Sequence, residues 1–542
     1  MRIALLNAPW YDKEKPLEWG VRAGSRWPHV QTRPEEGKLP RYVPFPFFMA
    51  IASSIAKEKG HDVLLVDAVG EDISLDEFYK RVEAFQPELI FSESSTPSLF
   101  YDLEVFKELH KRFPNAKIAS GGSQGTSMIP DFMKEQGLPH YWLGGEFDYS
   151  ISQLADAIDG KISFTEVDGL IGEGVIRQPV SINDVRQLPS PDFSALPIQN
   201  YSDPVCGLPA PVAQVWLSRG CPFKCSFCVW PQVVFGNNKY RVRDIDDALD
   251  DIETLINDYG CESFYFDDDT TNVGAPRMLE LAQKIKERGL DKYPWSMMAR
   301  ADCMNDKMLE ALKDAGLYSI KYGVESINEG LQDACDKGTN LKKFHRAIEY
   351  TKELGIKLHL TFMFGIPGET EETIDETLQF AMDIAPDSAQ FSINTPFPGT
   401  RFYKECEEKG WLITDDWSRF LGSGEAVVET PWLSAEALQR KYTEAMQKWR
   451  NFNLQRLAAK QDHLIRELTD HTEAGGSWKL TGDREFAEFI WQKADPEILA
   501  SFKPQDDNAR EVIISRHDEE KYFRRILRKD QNEALQVIRL FH

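Results

Sequence analysis

Strands and helices alternate along most of this 542-residue chain, and that alternation restricts the folds open to it. Short apolar runs predict buried strands, and apolar residues at helical spacing between them predict helices. In the first part the predicted strands are residues 2–8, 63–66, 89–92 and 116–119, and the predicted helices are 46–59, 75–84 and 103–113. This pattern predicts an α/β fold with a doubly wound parallel sheet, whose ligands bind beyond the carboxyl ends of the strands.

A second alternating series follows a proline-rich stretch, residues 159–206, which we interpret as a linker. Its predicted strands are 213–217, 263–266, 295–299, 319–323, 358–364 and 390–393. Its predicted helices are 245–257, 277–288, 307–315, 341–354 and 373–384. Six strand–helix units are fewer than the eight of a closed barrel, so the series predicts an open, partial barrel with its chemistry at the carboxyl ends of the strands.

Three cysteines follow the first barrel strand as C-x3-C-x2-C: Cys221, Cys225 and Cys228. Three thiolates can bind three irons of a cubane cluster and leave the fourth iron open to a small-molecule ligand. A zinc knuckle is the alternative, but structural zinc takes four ligands and no histidine lies between His140 and His345. The spacing therefore favours an iron–sulfur cluster with one open iron.

Composition limits the partners and the compartment. A formal net charge of -24 and a pI near 5.0 would repel phosphate backbones, so no nucleic-acid partner is expected. No apolar run reaches the length of a spanning helix, and the first residues lack a secretory signal pattern. Eight cysteines, three of them clustered, suit a reducing compartment better than a disulfide framework. We therefore expect a cytoplasmic protein without a transmembrane segment.

Small and hydroxylated residues stand at successive strand ends in the first part of the chain. They are Ser95 and Thr96, then Gly121, Gly122, Ser123 and Thr126, and finally Gly145 and Glu146. Such residues let a backbone approach a large flat cofactor while still offering hydrogen bonds. A nucleotide, a flavin, a substrate alone or a lost cofactor site are the alternatives that this pattern leaves open.

These motifs together resemble one enzyme family. The cysteine motif, with aromatic Phe227 before its last cysteine, resembles that of radical S-adenosylmethionine (SAM) enzymes. The strand-end turns, together with the sequence 60–63 (Gly-His-Asp-Val), are similar to those of the cobalamin-binding domain that precedes the barrel in a large subfamily. The Asp-x-His-x-x-Gly signature that supplies an axial histidine in other cobalamin enzymes is absent from the sequence.

The resemblance implies an architecture and a set of cofactors. The expected order is an N-terminal Rossmann-like doubly wound cobalamin-binding domain (1–158), the linker (159–206), a partial (β/α)6 radical SAM barrel (207–404) and a mainly helical C-terminal region (405–542). The implied cofactors are a [4Fe-4S] cluster on the three cysteines, SAM, and cobalamin at the strand ends of the first domain.

The resemblance also implies which barrel residues contact SAM. They are Phe227, Asp267, Asp268, Arg300, Glu325, Gly365, Ile366 and Pro367. An arginine and a carboxylate at strand ends suit the carboxylate, amine and ribose of SAM. Two alternatives stay open: residues 267–269, three aspartates in a row, could bind magnesium or calcium, and Arg300 with Glu325 could form a salt bridge.

The implied activity is functionalisation of an unactivated C–H bond in a small-molecule or lipid-like substrate, with methyl transfer as the leading reaction. An electron donor such as flavodoxin or ferredoxin is the implied partner. Radical cyclisation, oxidation or rearrangement is the alternative within enzymes. A non-catalytic sensor that binds a cluster and cobalamin is the alternative from another class, and the SAM-type motifs favour the enzyme.

Overall fold

The computed structural model describes residues 1–10, 18–21, 29–32, 42–124, 126–203, 205–473, 478–482, 510–517, 520–526 and 536–540. The chain divides into two compact units, Met1–Thr443 and Glu444–His542. Both predicted series of alternating strands and helices lie in the first unit.

The elements are numbered in chain order. The strands are β1 (Arg2–Asn7), β2 (Glu18–Val21), β3 (His29–Thr32), β4 (Asp62–Asp67), β5 (Leu89–Ser94), β6 (Lys117–Gly122), β7 (Tyr141–Leu143), β8 (Leu170–Gly172), β9 (Val175–Ile176), β10 (Val212–Val215), β11 (Ser218–Arg219), β12 (Arg241–Val242), β13 (Ser263–Phe266), β14 (Trp295–Ala299), β15 (Leu317–Glu325), β16 (Lys357–Phe364), β17 (Ser388–Ile393), β18 (Trp478–Gly482), β19 (Arg510–His517), β20 (Glu520–Ile526) and β21 (Gln536–Leu540). The α-helices are α1 (Phe47–Glu58), α2 (Leu75–Phe85), α3 (Leu99–Arg112), α4 (Ile129–Gln136), α5 (Ser150–Ile158), α6 (Ile245–Tyr259), α7 (Ala275–Glu287), α8 (Asp306–Asp314), α9 (Glu329–Ala334), α10 (Leu341–Glu353), α11 (Glu371–Ile384), α12 (Arg401–Lys409) and α13 (Ala435–Glu473).

The first sheet has the strand order β4-β1-β5-β6-β7-β8-β9. The first five strands in this order run parallel, and β8 and β9 extend the sheet as antiparallel strands. β1 lies inside the sheet, and its residues Ile3 to Leu6 are 0% exposed, as expected of a parallel strand covered on both faces. The strand order reverses at β1, which puts a ligand crevice at the carboxyl ends of β1 and β5.

Part of that crevice is closed by the segment between the two sheets. The buried Tyr201 hydroxyl donates to Asp67 at the end of β4, 2.8 Å away. A Cβ at Gly70 would lie 2.7 Å from the Tyr201 ring, so the chain packs closely there. Tyr201 thus covers the carboxyl end of β4, and the ends of β5, β6 and β7 are the part of this edge that it does not cover.

The second sheet is the predicted partial barrel. Its six strands follow the order β10-β13-β14-β15-β16-β17, all parallel. The helices after its third, fourth and fifth strands begin at side-chain caps that accept a backbone N–H: Asn305, Asn328, Asn340 and Thr370. The fold class predicted from the sequence is confirmed.

Two segments differ from the expected organisation. Within the expected linker, β8 pairs with β7 and β9 pairs with β8, so residues 170–176 belong to the first sheet. The expected domain boundaries otherwise remain a prediction. The expected helical C-terminal region begins with α12 and α13, but β18 to β21 then form a four-stranded sheet. The sequence 512–514 (Val-Ile-Ile) consists of β-branched residues, which are typical of strands. Among the described residues no helix has both the length and the apolar composition needed to cross a bilayer.

Candidate active site

The three cysteines of the motif share one loop between β11 and the π-helical turn Trp230–Val234. Burial raises the pKa of each thiol, and neighbouring Cys225 and Cys221 raise that of Cys228 further. The three sulfur atoms therefore lie close enough to interact. Among the described residues no three His, Cys, Asp or Glu side chains form a site for a single metal ion. A cubane cluster does not require three side chains around one ion, because each thiolate binds its own iron. Three thiols on one loop therefore suit a cubane cluster.

The backbone of this cluster loop is held by one side chain and one backbone carbonyl from outside the loop. The Gln232 amide donates to the carbonyl oxygens of Cys225, Ser226 and Cys228 at 3.0, 3.0 and 2.9 Å. The Ser226 N–H donates to the Cys335 carbonyl at 2.9 Å. The shape of the loop is therefore fixed by protein contacts.

Arg300, at the end of β14, lies against the cluster loop. Its guanidinium carbon is 3.7 Å from the centroid of the Phe223 ring. Two of its nitrogens donate to the two oxygens of Asp302, both at 3.0 Å, and one also donates to the Lys337 carbonyl at 3.1 Å. The salt bridge weighed from the sequence is thus formed, with Asp302 instead of Glu325.

Glu325 ends β15 with a left-handed backbone, φ 64°. Its carboxylate accepts from the Lys337 ammonium at 2.7 Å. Lys337 and Arg300 both act to lower the pKa of Cys225, against the larger effect of burial. Two cations and a carboxylate therefore surround one side of the cluster loop, and a zwitterion would find both charge signs there.

The three aspartates after β13 have separate partners. Buried Asp268 accepts from the Leu217 N–H at 3.0 Å and from the Ser218 hydroxyl at 2.6 Å. Asp269 accepts from the Gly220 N–H at 2.9 Å. Asp268 thus ties the start of the cluster loop to β13, and its contact with SAM remains a prediction. Asp267 lines the cleft described below.

The turn after β16 is closed by its own glutamate. The N–H groups of Gly365 and Ile366 donate to the carboxylate of Glu369, the second at 3.2 Å. Glu369 is 0% exposed, and its other oxygen has no hydrogen-bond partner among the described protein atoms. Burial raises the pKa of Glu369 to about 8. Ile366 packs with Phe227, so these two predicted residues come together in one apolar cluster beside the loop.

At the carboxyl edge of the first sheet, two buried polar atoms have no partner among the described protein atoms, one on a predicted residue and one on its neighbour in the sheet. Ser95 caps the turn after β5, with its hydroxyl 2.9 Å from that of Ser98. The Thr96 hydroxyl and the Gln124 side-chain carbonyl are buried and have no partner among the described protein atoms. They belong to the ends of neighbouring strands, β5 and β6. Ser123 is partly exposed beside them, and the side chain of Thr126 lies outside the described residues.

The glycines of this edge are required by the sheet itself. A Cβ at Gly122 (φ 150°) would lie 1.8 Å from the Ser94 carbonyl oxygen. One at Gly145 (φ 89°) would lie 2.2 Å from the Val180 carbonyl oxygen, and one at Gly121 would lie 2.7 Å from that of Leu143. Replacing these glycines would disturb the backbone, so such variants cannot report on a cofactor.

Glu146, predicted to contact cobalamin, forms ion pairs with arginines of the barrel, and its contact with the cofactor remains a prediction. It is 1% exposed, contacts Arg219 at 3.1 Å, accepts from Arg241, and accepts from the Ile182 N–H at 2.8 Å. Asp148, 0% exposed, accepts from Arg219 through both oxygens at 2.8 Å. Arg219 stands two residues before Cys221. We call these four side chains the interdomain clamp: Glu146, Asp148, Arg219 and Arg241.

An open cleft adjoins the clamp. Its walls include Phe48, Trp216, Trp230 and Asp267. The Arg219 guanidinium carbon is 4.5 Å from the Phe48 ring centroid and 4.9 Å from that of Trp216. The cleft is thus bounded by the first domain on one side and by the mouth of the barrel on the other.

Comparison with known proteins identifies the family. The sequence profile of the radical SAM superfamily matches residues 217–381, which include the cluster loop. The chain is a radical SAM enzyme. The family predicted from the cysteine motif is confirmed, and with it the [4Fe-4S] cluster and SAM as its cofactors.

Curated relatives and a solved structure match well beyond the radical SAM domain. An uncharacterized methyltransferase of Pyrococcus horikoshii is 28% identical over 386 residues, 69% of this chain and 81% of that protein. The anaerobic magnesium-protoporphyrin IX monomethyl ester cyclase of Cereibacter sphaeroides is 29% identical over 67% of this chain and 60% of that enzyme. The structure of OxsB, a cobalamin-dependent SAM radical enzyme with aqua-cobalamin and SAM bound, has a TM-score of 0.63 at 15% identity, covering 94% of this chain and 73% of that chain.

Several site residues of this radical SAM enzyme were not predicted. Lys337 follows α9, away from any strand end, so no pattern marked it. Asp148 and Arg219 are 71 residues apart, and only tertiary contacts pair them. Gln124 stands inside the predicted 121–126 turn and could have been singled out as the longest polar side chain there.

We expect the Glu369→Gln variant to change how stability depends on pH. Between the usual carboxyl pKa of 4.5 and about 8, folded Glu369 keeps a proton that the unfolded chain releases. The free energy of unfolding of the wild type should therefore fall as pH rises through this window, by a few kcal/mol at about 1.4 kcal/mol per pKa unit. Urea unfolding at several pH values measures this pH dependence of the free energy of unfolding. The Glu369→Gln variant should lose this slope, whereas Glu376→Gln, at an exposed position of α11, should keep it; parallel curves for all three proteins would contradict the assignment.

Proposed function

We propose that this radical SAM enzyme is a cobalamin-dependent methyltransferase that moves a methyl group from SAM to an unactivated carbon of a small molecule. The observation that carries the proposal is the interdomain clamp. Asp148 follows the last parallel strand of the first sheet, and Arg219 leads into the cluster loop. The edge with unpaired Thr96 and Gln124 is thereby held in the same compact unit as the cluster.

The names of the relatives support methyl transfer, and the likeness to OxsB supports the two-domain fold that such chemistry uses. When bound, the cluster supplies the electron that cleaves SAM to methionine and a 5′-deoxyadenosyl radical, and cobalamin carries the methyl group. The protein residues bind, orient and exclude water. We assign the cluster to Cys221, Cys225 and Cys228.

We assign SAM to the charged groups beside the cluster loop. Arg300 and Lys337 suit its carboxylate, and Glu325 suits its amine or ribose hydroxyls. Phe227, Asp267 and residues 365–367 complete the proposed SAM site. For cobalamin we propose Ser95, Thr96, Ser123, Thr126 and Gln124.

A low-potential electron donor such as flavodoxin or ferredoxin completes the proposal. All eight cysteines are free, which supports a reducing compartment such as the cytoplasm. The cyclase among the relatives favours one second candidate, radical cyclisation or rearrangement on the same site. This second reaction would share with methyl transfer the cleavage of SAM to 5′-deoxyadenosine, and it would not include the transfer of a methyl group to cobalamin.

Cobalamin retention tests the first domain directly. Purified protein mixed with hydroxocobalamin and desalted should keep about one equivalent, with the spectrum of a form that lacks nitrogen from the nucleotide base. We expect Gln124→Leu to bind about two- to twelvefold more weakly, because one hydrogen bond contributes about 0.5–1.5 kcal/mol. Gln283→Leu, at an exposed position of α7, is the matched control and should bind as the wild type does. If the wild type keeps no cobalamin, the domain is a substrate or docking module and the proposal fails.

A further inference from the structure

We propose that the interior of the barrel binds a neutral, hydrogen-bonding part of a water-soluble substrate, such as a hydroxyl, carbonyl or amide group, and that His359 contacts it. This inference rests on the proposed function, since it names the class of small molecule on which that chemistry acts. Within the range of small-molecule and lipid-like substrates expected from the sequence, it selects the polar class.

Exposure alternates along the two central strands β15 and β16. Side chains that face the surrounding helices are almost completely buried: Ile320, Tyr322, Val324, Leu358 and Leu360, each at most 1% exposed. Their neighbours on the inner face are partly exposed: Lys321, Gly323, Glu325, His359 and Thr361. The inner face of the barrel is therefore accessible to water.

The inner face is also polar. The pairing of neighbouring strands places its polar side chains side by side, in rows that run across the sheet. Lys321 pairs with His359, and His359 pairs with Ser388 of the next strand. In the row above, Thr361 pairs with Gln390. An apolar molecule would strip water from these side chains without replacing their hydrogen bonds, which is costly. The rows therefore favour a substrate that hydrogen-bonds.

The charges of the interior are already paired within the protein. The Lys321 ammonium, in the same row as His359, is 2.9 Å from the Asp203 carboxylate. A ligand that extends below the charged groups assigned to SAM therefore meets an ion pair in which each charge has a partner. Neutral donors and acceptors are the remaining means of recognition, so the favoured substrate group is uncharged.

His359 is the best-placed of these neutral groups. Its Nδ1 atom is 2.7 Å from the Ser388 hydroxyl, which lies 3.3 Å from the Cys206 sulfur. Its Nε2 atom is buried without a partner among the described protein atoms, as is the hydroxyl of Ser296 one row below. Burial, and then Lys321, lowers the pKa of His359 to about 3, so the ring is neutral and offers one donor and one acceptor. A substrate group would satisfy Nε2 while the chain of hydrogen bonds holds the ring in place.

Cell extracts of two polarities test this inference with the holoenzyme. An aqueous-methanol extract and a chloroform extract of the producing cells are each added to reduced enzyme with SAM and cobalamin, and 5′-deoxyadenosine is measured. We expect the aqueous extract to stimulate its formation about tenfold or more over the rate without extract. The His359→Phe variant should lose most of that stimulation. Tyr322→Phe, on the outer face of β15, is the control and should respond as the wild type does.

Three results would overturn the inference: stimulation by the chloroform extract, an undiminished response of His359→Phe, or no stimulation by either extract. If His359→Phe does not fold or does not hold its iron, Gln390→Leu, at an exposed position of the same face, takes its place with the same expectation. The proposed function is judged separately, by the products formed without any extract. Those products can appear while the extracts fail, so the two failures are distinguishable.

Discussion

Replacement of Cys221, Cys225 and Cys228 by alanine should reduce bound iron from about four per chain to background, with the fold intact. Each thiolate is the expected protein ligand of one iron, so the triple variant keeps none of them. The fold should survive because Gln232 and Cys335 hold the loop backbone without the metal. Iron and sulfide analysis of anaerobically reconstituted protein measures the loss, and circular dichroism reports the fold.

The matched control replaces Cys206, Cys261 and Cys406, three thiols that lie outside the cluster loop. That variant should keep its iron at the wild-type level. Near-full iron and sulfide in the variant without Cys221, Cys225 and Cys228 would contradict the assignment of the cluster to these cysteines. Stoichiometric zinc in the wild type would contradict it too.

The second large effect concerns the interdomain clamp. The Asp148→Ala variant should lose about 3–5 kcal/mol in the free energy of unfolding of the transition that includes the first domain. Arg219 and Asp148 have side chains 6% and 0% exposed, so removal of the carboxylate leaves a buried guanidinium without its bidentate partner. Urea unfolding of the two proteins measures the difference.

The control is the surface pair of Asp184 and Arg186, 2.8 Å apart. Solvent screens a surface ion pair, so Asp184→Ala should have a small effect. Equal, small losses for Asp148→Ala and Asp184→Ala would show that the clamp does not join the domains in solution.

The fold was largely predictable because the sequence patterns that indicate its strands and helices are local. Parallel strands covered on both faces appear as short apolar runs, and the helices between them carry apolar residues at helical spacing. The cysteine motif could be recognised for the same reason, since its three cysteines fall within eight residues of sequence. The strand-end rule then located most of the remaining predicted residues at the right edges of the two sheets.

The roles of individual residues were less predictable, because they depend on partners distant in sequence. Asp268 was interpreted as a ligand group, and the structure uses it to hold Ser218, 50 residues away. Glu146 was interpreted as a cofactor contact, and it binds arginines of the barrel. Gly122 was interpreted as space for a cofactor, and a neighbouring carbonyl oxygen occupies that space. A strand-end position shows where a side chain starts and cannot show which partner it meets.

The central claim is that one enzyme consumes SAM in two ways, and the products formed without substrate test it most directly. Reduced holoenzyme with SAM and cobalamin should form both S-adenosylhomocysteine, from methyl transfer, and 5′-deoxyadenosine, from reductive cleavage. Omission of cobalamin should abolish the first product and spare the second. Arg300→Ala should lower both together, because it removes the cation that lies over the cluster loop. Formation of 5′-deoxyadenosine alone, with cobalamin demonstrably bound, would contradict methyl transfer and favour the cyclase or rearrangement chemistry.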